Sequence, residues 1–549
     1  MTTQSATIAS LLLDRREDDH TGLRFEDRAW TYREVVRECL VRARLLQDLR
    51  PDGPFHVGVL LQNVPEYVFL LGGAALAGAV VVGINPTRRG PELDRDIRHT
   101  DCGILITDAE QATLLRGLDI SVPQERSFDI DSKRWKERLA NTAPADVAAN
   151  EIDGTAPYLL IFTSGTTGDP KASICSQRRL CGSAAGLVSR RSVTASDVIY
   201  QTMPMFHSNA QNAWVASVTG GATLALRQRF SASGFLPDVR RFGATIFNYV
   251  GKPLNYILAT PEQPDDTENP LRLAYGNEGT LHDVQRFAQR FGCHVTDSYG
   301  STEGGITIVR SPDTPAGALG AGQPGTVVLN PGTGRECAPA RFDGRGKLAN
   351  PEEAIGELAN RQTAGGFEGY WKNDEANSER VRDGIYWSGD LAYRDDDGFL
   401  YFAGRGYDWM RVDGENIAAA PIERILTRHG CIELASVYAV PDVHAGDAVM
   451  AAVALSPDTS FDGTEFCSFL AEQADLGTKW APQYVRVAAS LPTTQTHKIL
   501  KRVLRDERWH CDDPVWVRDG DTYRRLAQTD IAAIEHAVSR QADSHGGPA

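Results

Sequence analysis

The 549-residue chain has no CxxC pair, no basic excess and no internal repeat, and each absence narrows what it can do. Its nine cysteines, at positions 39, 102, 175, 181, 293, 337, 431, 467 and 511, are scattered and odd in number. That usage argues against a zinc site or a disulfide framework and fits a reducing cytoplasm. Positive charge is in deficit: 57 Lys+Arg against 72 Asp+Glu give a formal net charge of -15. Such a field repels nucleic acid and anionic membrane surfaces, so an anionic substrate needs a locally positive pocket. The opening MTTQSATIASLLLDRREDDH lacks the basic start and cleavage site of a secretory signal. A long apolar stretch, residues 68–84 (VFLLGGAALAGAVVVGI), stops short of the roughly 18–20 residues of a membrane span. Its spacing predicts a buried helix that breaks at Gly78 and continues as a β-branched core strand.

What is present reads as a globular protein, with 42% hydrophobic and 23% charged residues. At roughly 150 residues per domain the length implies about three or four compact units. Short β-branched runs (HVGVLLQ, AVVVGI, GILITD, PYLLIFTS, ATLAL, ATIFNYV, LRLAYGN, HVTDSYG) alternate with amphipathic segments such as TYREVVRECLVRARLLQDL and LHDVQRFAQRFG. This rhythm predicts a large α/β region with parallel sheets. Beyond about residue 320, GELANR, GIYWSGDLAYRDDDGFLYFAGR and DWMRVDG predict hairpins or a small barrel with Asp-Gly turns. A smaller α/β unit follows, with APIERILTRHG and FCSFLAEQA helical and ASVYAVPD and VMAAVAL as strands. The expected division is a large domain over 1–404, a hinge at 405–408, a small domain over 409–538 and a disordered polar tail over 539–549.

Four polar segments carry candidate chemistry. Residues 163–171, TSGTTGDPK, follow the apolar run YLLIF, at a strand end where α/β folds bind ligands. The spacing is not that of a Walker A loop. Its glycines could turn backbone N–H groups inward as an anion nest, with hydroxyl donors and a mobile charge on Lys171. A flexible surface loop is the plainer alternative. In residues 297–305, DSYGSTEGG, Tyr299 could stack on a base, Thr302 bond a phosphate oxygen and Glu303 offer Mg²⁺ a hard ligand. Read alone, this too is a polar loop. After YWSG, Asp390 is placed to accept both hydroxyls of a ribose, with Arg405 to bond ribose or phosphate oxygens; a capped turn is the alternative. TTQTHK ends in Lys498, which by itself reads equally as a solvated side chain before a helix.

In this order and at these separations, the four segments resemble the adenylate-forming superfamily of acyl-CoA synthetases, firefly luciferases and nonribosomal-peptide adenylation domains. The resemblance covers about residues 22–526. It implies an α/β fold: a large N-terminal domain of stacked αβαβα-type sheets with a small β-barrel-like subdomain, and a small mobile C-terminal domain. It also implies a two-step reaction, in which a carboxylate attacks the ATP α-phosphorus and a nucleophile then displaces AMP from the acyl-adenylate. Carried over by position, Thr163, Ser164, Gly165, Thr166, Thr167, Gly168 and Lys171 would embrace the β- and γ-phosphates. Gly276, Asn277, Glu278 and Tyr299 would flank adenine, and Thr302 would touch the α-phosphate. Thr166 and Glu303 would hold Mg²⁺, Asp390 and Arg405 the ribose. Lys498 would bridge carboxylate and α-phosphate, while the DGEN stretch at 413–416 would line the thiol tunnel, with Gly414 allowing close approach. The hinge position holds Tyr407 where the family has Asp or Lys; Asp408 follows it.

The segment GRGYDWMRVDGENIAAAPIE and the ending DDPVWVRDGDTYRRL look like the FadD-type, very-long-chain acyl-CoA synthetase and fatty-acid-transport branch. The expected substrates are therefore a carboxylic acid, fatty or aromatic, ATP with Mg²⁺, and CoA, with a homodimer as expected assembly. MPMFHSNAQNAW would form one wall of the acid pocket, so His207, Asn209, Gln211, Asn212, Trp214, Tyr249 and Gly300 are the expected lining. His207 stands where amino-acid-activating relatives carry Asp, which argues against an α-amino acid; it is a gate, a carboxylate contact or a packed core histidine. Polar Gln211 and Asn212, if they face the pocket, want hydrogen-bonding substrate groups. The alternatives are a carrier-protein or nitrite-activating, N–N bond-forming adenylating enzyme, and a non-catalytic binding protein.

Overall fold

The computed structural model describes residues 6–163, 171–251, 253–277, 279, 281–311, 313–315, 317–344, 348–362, 366–405, 409–412, 415–442, 446–473, 476, 479–493 and 499–545. By compactness the chain forms two units, residues 1–305 with 364–379, and residues 306–363 with 380–549. The functional division expected at 405–408 concerns movement, and residues 406–408 lie outside the described residues.

The first unit contains two largely parallel sheets. One runs in the order His294–Asp297, Leu273–Asn277, Ile246–Val250, Val198–Gln201, Thr223–Leu226, Thr21–Phe25, Arg28–Thr31. The other runs Ser127–Asp129, Ile104–Thr107, His56–Leu60, Val80–Gly83, Pro157–Thr163, Lys171–Ser176. Each ends in one antiparallel pair. The strands form where β-branched runs are buried on both faces, and one core cluster draws on both sheets, with Val57 and Leu159 beside Leu224 and Ile246.

Helices complete that core. Tyr32–Asp48 begins at a capping box between Thr31 and Glu34 and buries Tyr32, Val35, Val36, Cys39, Ala43 and Leu46 on one stripe. Pro65–Ala77 is buried almost all round and stops at Gly78, whose φ of +68° suits a residue without a Cβ. The strand Val80–Gly83 follows, so the 68–84 stretch is a buried helix and strand, as its spacing predicts. Among the described residues, no helix is long and apolar enough to cross a membrane.

The second unit has an antiparallel sheet in the order Ile308–Val309, Gly320–Gly322, Phe399–Arg405, Ile385–Arg394, Gly356–Asn360, Thr326–Leu329, with Val381–Arg382 on Ile385–Arg394. Asp383 and Gly384 turn between the last two at φ +51° and +74°, the two-residue hairpin expected of Asp-Gly. A second, mixed sheet is centred on Gly446–Leu455 and carries the helices Ala419–Leu426 and Gly463–Glu472. The helix Gln528–His545 ends the described residues and reaches into the stretch expected as a tail at 539–549. Asp530 accepts from the Ala527 N–H at its start, and Ile531 and Ile534 anchor its first turns in a core cluster.

Candidate active site

The strands Pro157–Thr163 and Lys171–Ser176 pair Thr163 directly with Lys171, so TSGTTGDPK closes a hairpin. Ser164, Gly165, Thr166, Thr167 and Gly168 lie outside the described residues. Lys171 is not the mobile charge expected. It is 5% exposed, with Nζ 3.2 Å from a Glu379 carboxylate oxygen and 5.6 Å from the ring centre of Tyr370. An ammonium withdrawn from water keeps its charge only when paired, and this pairing holds it at the base of the loop. Tyr370 is the hub of this end. Its hydroxyl donates to Glu303 Oε1 at 2.9 Å, and it is fixed by reciprocal backbone–amide bonds with Asn377 and a bridge to Ser173.

The expected adenine side is built from the ends of three parallel strands, which put Gly276 opposite both Tyr249 and Asp297. A Cβ at Gly276 would overlap the Tyr249 carbonyl and ring, so only glycine lets these strands approach. Asn277 Nδ2 donates to the Ser298 carbonyl at 2.6 Å, tying this strand end to the YGSTE loop. Asp297 accepts from the Tyr249 hydroxyl at 2.9 Å and the Gly279 N–H at 2.7 Å. Tyr299 is half-buried and Gly300 exposed, while Glu278 lies outside the described residues. Thr302 Oγ1 is 3.1 Å from Ser208 Oγ, and the Arg179 guanidinium donates to the Thr302 carbonyl. The first unit thus joins Lys171 and Glu303 through Tyr370, ties Asn277 to the loop that carries Tyr299, and fixes Thr302 in that loop from Ser208 and Arg179.

The expected acid wall is only partly a wall. His207 precedes the helix Ser208–Gly220, its ring packed on Phe206 at 4.4 Å. Burial pushes its pKa down to about 4, so the imidazole is neutral at pH 7. Trp214 and Tyr249, expected to line the pocket, are 1% and 0% exposed and take part in core clusters. Their bulk is used in joining helix to sheet. Gln211 donates through Nε2 to the Met205 carbonyl and so braces the turn before the helix. Asn209 and Asn212 are half-buried on the helix.

In the second unit, the register of Ile385–Arg394 on Phe399–Arg405 sets Asp390 directly across from Arg405. Gly389 turns at φ +76°, with its N–H donated to Glu357 at 2.8 Å, and Ser388 Oγ accepts from the Asp390 N–H at 3.1 Å. SGD is therefore a capped turn, and one that presents a half-buried carboxylate. Lys498, Asp413 and Gly414 lie outside the described residues. Sequence reasoning did not single out Tyr370, Glu379 or Ser208, because each acts through a partner distant in the chain.

Residues 13–371 match the family described as AMP-binding enzyme. The chain belongs to this family. Among its relatives in the family are a steroid-22-oyl-CoA synthetase of Rhodococcus jostii, 48% identical over 99% of this chain and 100% of that one, and a medium/long-chain-fatty-acid–CoA ligase of Mycobacterium tuberculosis, 47% identical over 94% and 99%. The fold is shared with ATP-bound MatB from Rhodopseudomonas palustris, at a TM-score of 0.80, 22% identity, and coverage of 91% of this chain and 99% of that one. It is shared too with the o-succinylbenzoate CoA synthetase of Bacillus subtilis in complex with ATP and magnesium ion, at 0.75, 25%, 90% and 99%.

Magnesium fits the AMP-binding site on the chemistry of its donors. The ion usually takes one or two carboxylates and completes its shell with phosphate oxygens and water. Glu303 supplies one half-buried carboxylate whose direction Tyr370 fixes. No cluster of three acidic, histidine or cysteine ligands exists among the described residues, and none is needed for a metal that arrives with a nucleotide.

Proposed function

We propose that this AMP-binding enzyme is an ATP-dependent acyl-CoA ligase that activates a bulky, largely apolar carboxylic acid of the long-chain or steroid side-chain kind. The network Lys171–Tyr370–Glu303 carries this reading: it sets one buried cation and one fixed carboxylate around the hairpin loop that would hold the phosphates. The names of the relatives at 47–48% identity support the acid class.

In this reading the acid's carboxylate attacks the α-phosphorus and pyrophosphate leaves. Lys171 and the loop hold the departing phosphates, and Thr302, fixed by Ser208 and Arg179, receives the α-phosphate. Magnesium, when bound, neutralises phosphate charge at Glu303. Fixed donors and cations of this kind stabilise charge that spreads over phosphoryl oxygens, each lowering the barrier by about 2.7–4 kcal/mol. Asp390 and Arg405 hold the ribose. The segment 409–538 carries Lys498 for adenylation and turns to present the DGEN stretch for thioester formation. The nine cysteines are all free, which supports a reducing compartment such as the cytoplasm as the place of action.

ATP–pyrophosphate exchange over a panel of acids, with and without CoA, tests the reading in wild type and Lys498→Ala. The variant should lose exchange and keep the conversion of supplied acyl-adenylate to acyl-CoA. AMP release that needs an amine and nitrite in place of CoA would overturn it.

A further inference from the structure

The start of the helix Ser208–Gly220 meets the strand Ile246–Val250 through a pair of amides. Asn209 Nδ2 donates to the Tyr249 carbonyl at 3.5 Å, which leaves Asn209 Oδ1 to accept from Asn248 Nδ2 at 2.6 Å. Asn248 has then used its donor end on Asn209. Its Oδ1 is buried with no partner among the described residues, and the residue is 0% exposed. Asn212, three residues beyond Asn209 and so on the same helical face, also buries an Oδ1 with no partner among them. Native folds rarely leave buried acceptors unpaired, so these two call for a donor from elsewhere. Ser208, next to Asn209, touches Thr302 at 3.1 Å. Asn209 and Asn212 therefore lie on the helix whose first residue reaches Thr302, the proposed α-phosphate contact.

We infer that Asn212 and Asn248 are specificity-determining residues that select an acid bearing a hydrogen-bond donor, a hydroxyl above all, over the same acid without it. Asn209 is the positioning residue that turns Asn248's oxygen outward. The inference rests on the acid–CoA ligase reading above. A plain alkyl chain would cover both acceptors and pair neither, and sites built to bond a substrate hydroxyl reject the analogue lacking it far more strongly than apolar pockets reject a missing methylene.

The test uses the full chain and matched acids with and without one hydroxyl: dodecanoic acid against its monohydroxy isomers, and steroid side-chain acids with and without a hydroxyl. Pyrophosphate exchange gives kcat/KM for each. Wild type should favour the hydroxylated member of at least one pair by about tenfold or more. Asn212→Leu and Asn248→Leu should each bring that ratio towards one; because the ratio is taken within a variant, partial loss of folded protein cancels. Equal rates within every pair, or a ratio that neither substitution moves, would overturn the inference and leave the amides to bound water. Absence of exchange with every acid would instead bring down the ligase reading, and this inference with it.

Discussion

Tyr370→Phe removes one hydroxyl and little else. The ring 5.6 Å from Lys171 Nζ remains, while the 2.9 Å bond to Glu303 Oε1 is lost. A hydrogen bond to a charged group contributes about 1.5–3 kcal/mol. Tyr370 is buried but Glu303 only half so, which sets the expected loss near the lower end, ~1.5 kcal/mol or about tenfold. The loss should fall on the step in which Glu303 meets magnesium and ATP. Acid-dependent pyrophosphate exchange, titrated with Mg²⁺, should show an apparent metal requirement raised about tenfold. Conversion of supplied acyl-adenylate to acyl-CoA should be unchanged. An unaltered Mg²⁺ titration would refute the role given to the hydroxyl. Equal loss of both half-reactions would make Tyr370 a packing residue.

Two further expectations concern the fold around the site. Gly276→Ala would place a Cβ against the Tyr249 carbonyl and 2.6 Å from its ring, so the paired strands must shift. The cost should be about 1–3 kcal/mol, seen as a lower Tm together with weaker ATP binding in a titration; an unchanged Tm would contradict it. His207 has a folded pKa of about 4 against an ordinary 6.5, so the unfolded chain binds its proton first. Its contribution is therefore complete above pH 6.5 and is lost on acidification towards pH 4, amounting to at most about 3 kcal/mol. Burial lowers the His56 pKa too, in the same sense. Denaturant unfolding at pH 7 and pH 4.5 should show a smaller acid loss for His207→Gln than for wild type; equal losses would contradict the assignment.

Much of this was legible in the chain because it is local. The break at Gly78 follows from a helical stretch meeting β-branched residues, and the Asp383–Gly384 turn from the one dipeptide that readily takes two positive φ values. The motif residues could be named because they cluster in short segments. What could not be read is which distant side chains meet them. Lys171 looked mobile, yet Glu379 and Tyr370, some 200 positions on, hold it. The motif around Trp214 and Tyr249 did not reveal that both rings are buried and take part in core clusters. The last helix was not read from the sequence, because what ties its start down is the packing of Ile531 and Ile534 against a core cluster.

Product analysis tests the central claim most directly. Incubated with ATP, Mg²⁺, CoA and a panel of long-chain and steroid side-chain acids, the protein should form AMP, pyrophosphate and acyl-CoA in equal amounts, and only in the presence of an accepted acid. Formation of ADP and phosphate, or of AMP without any acyl-CoA, would contradict it.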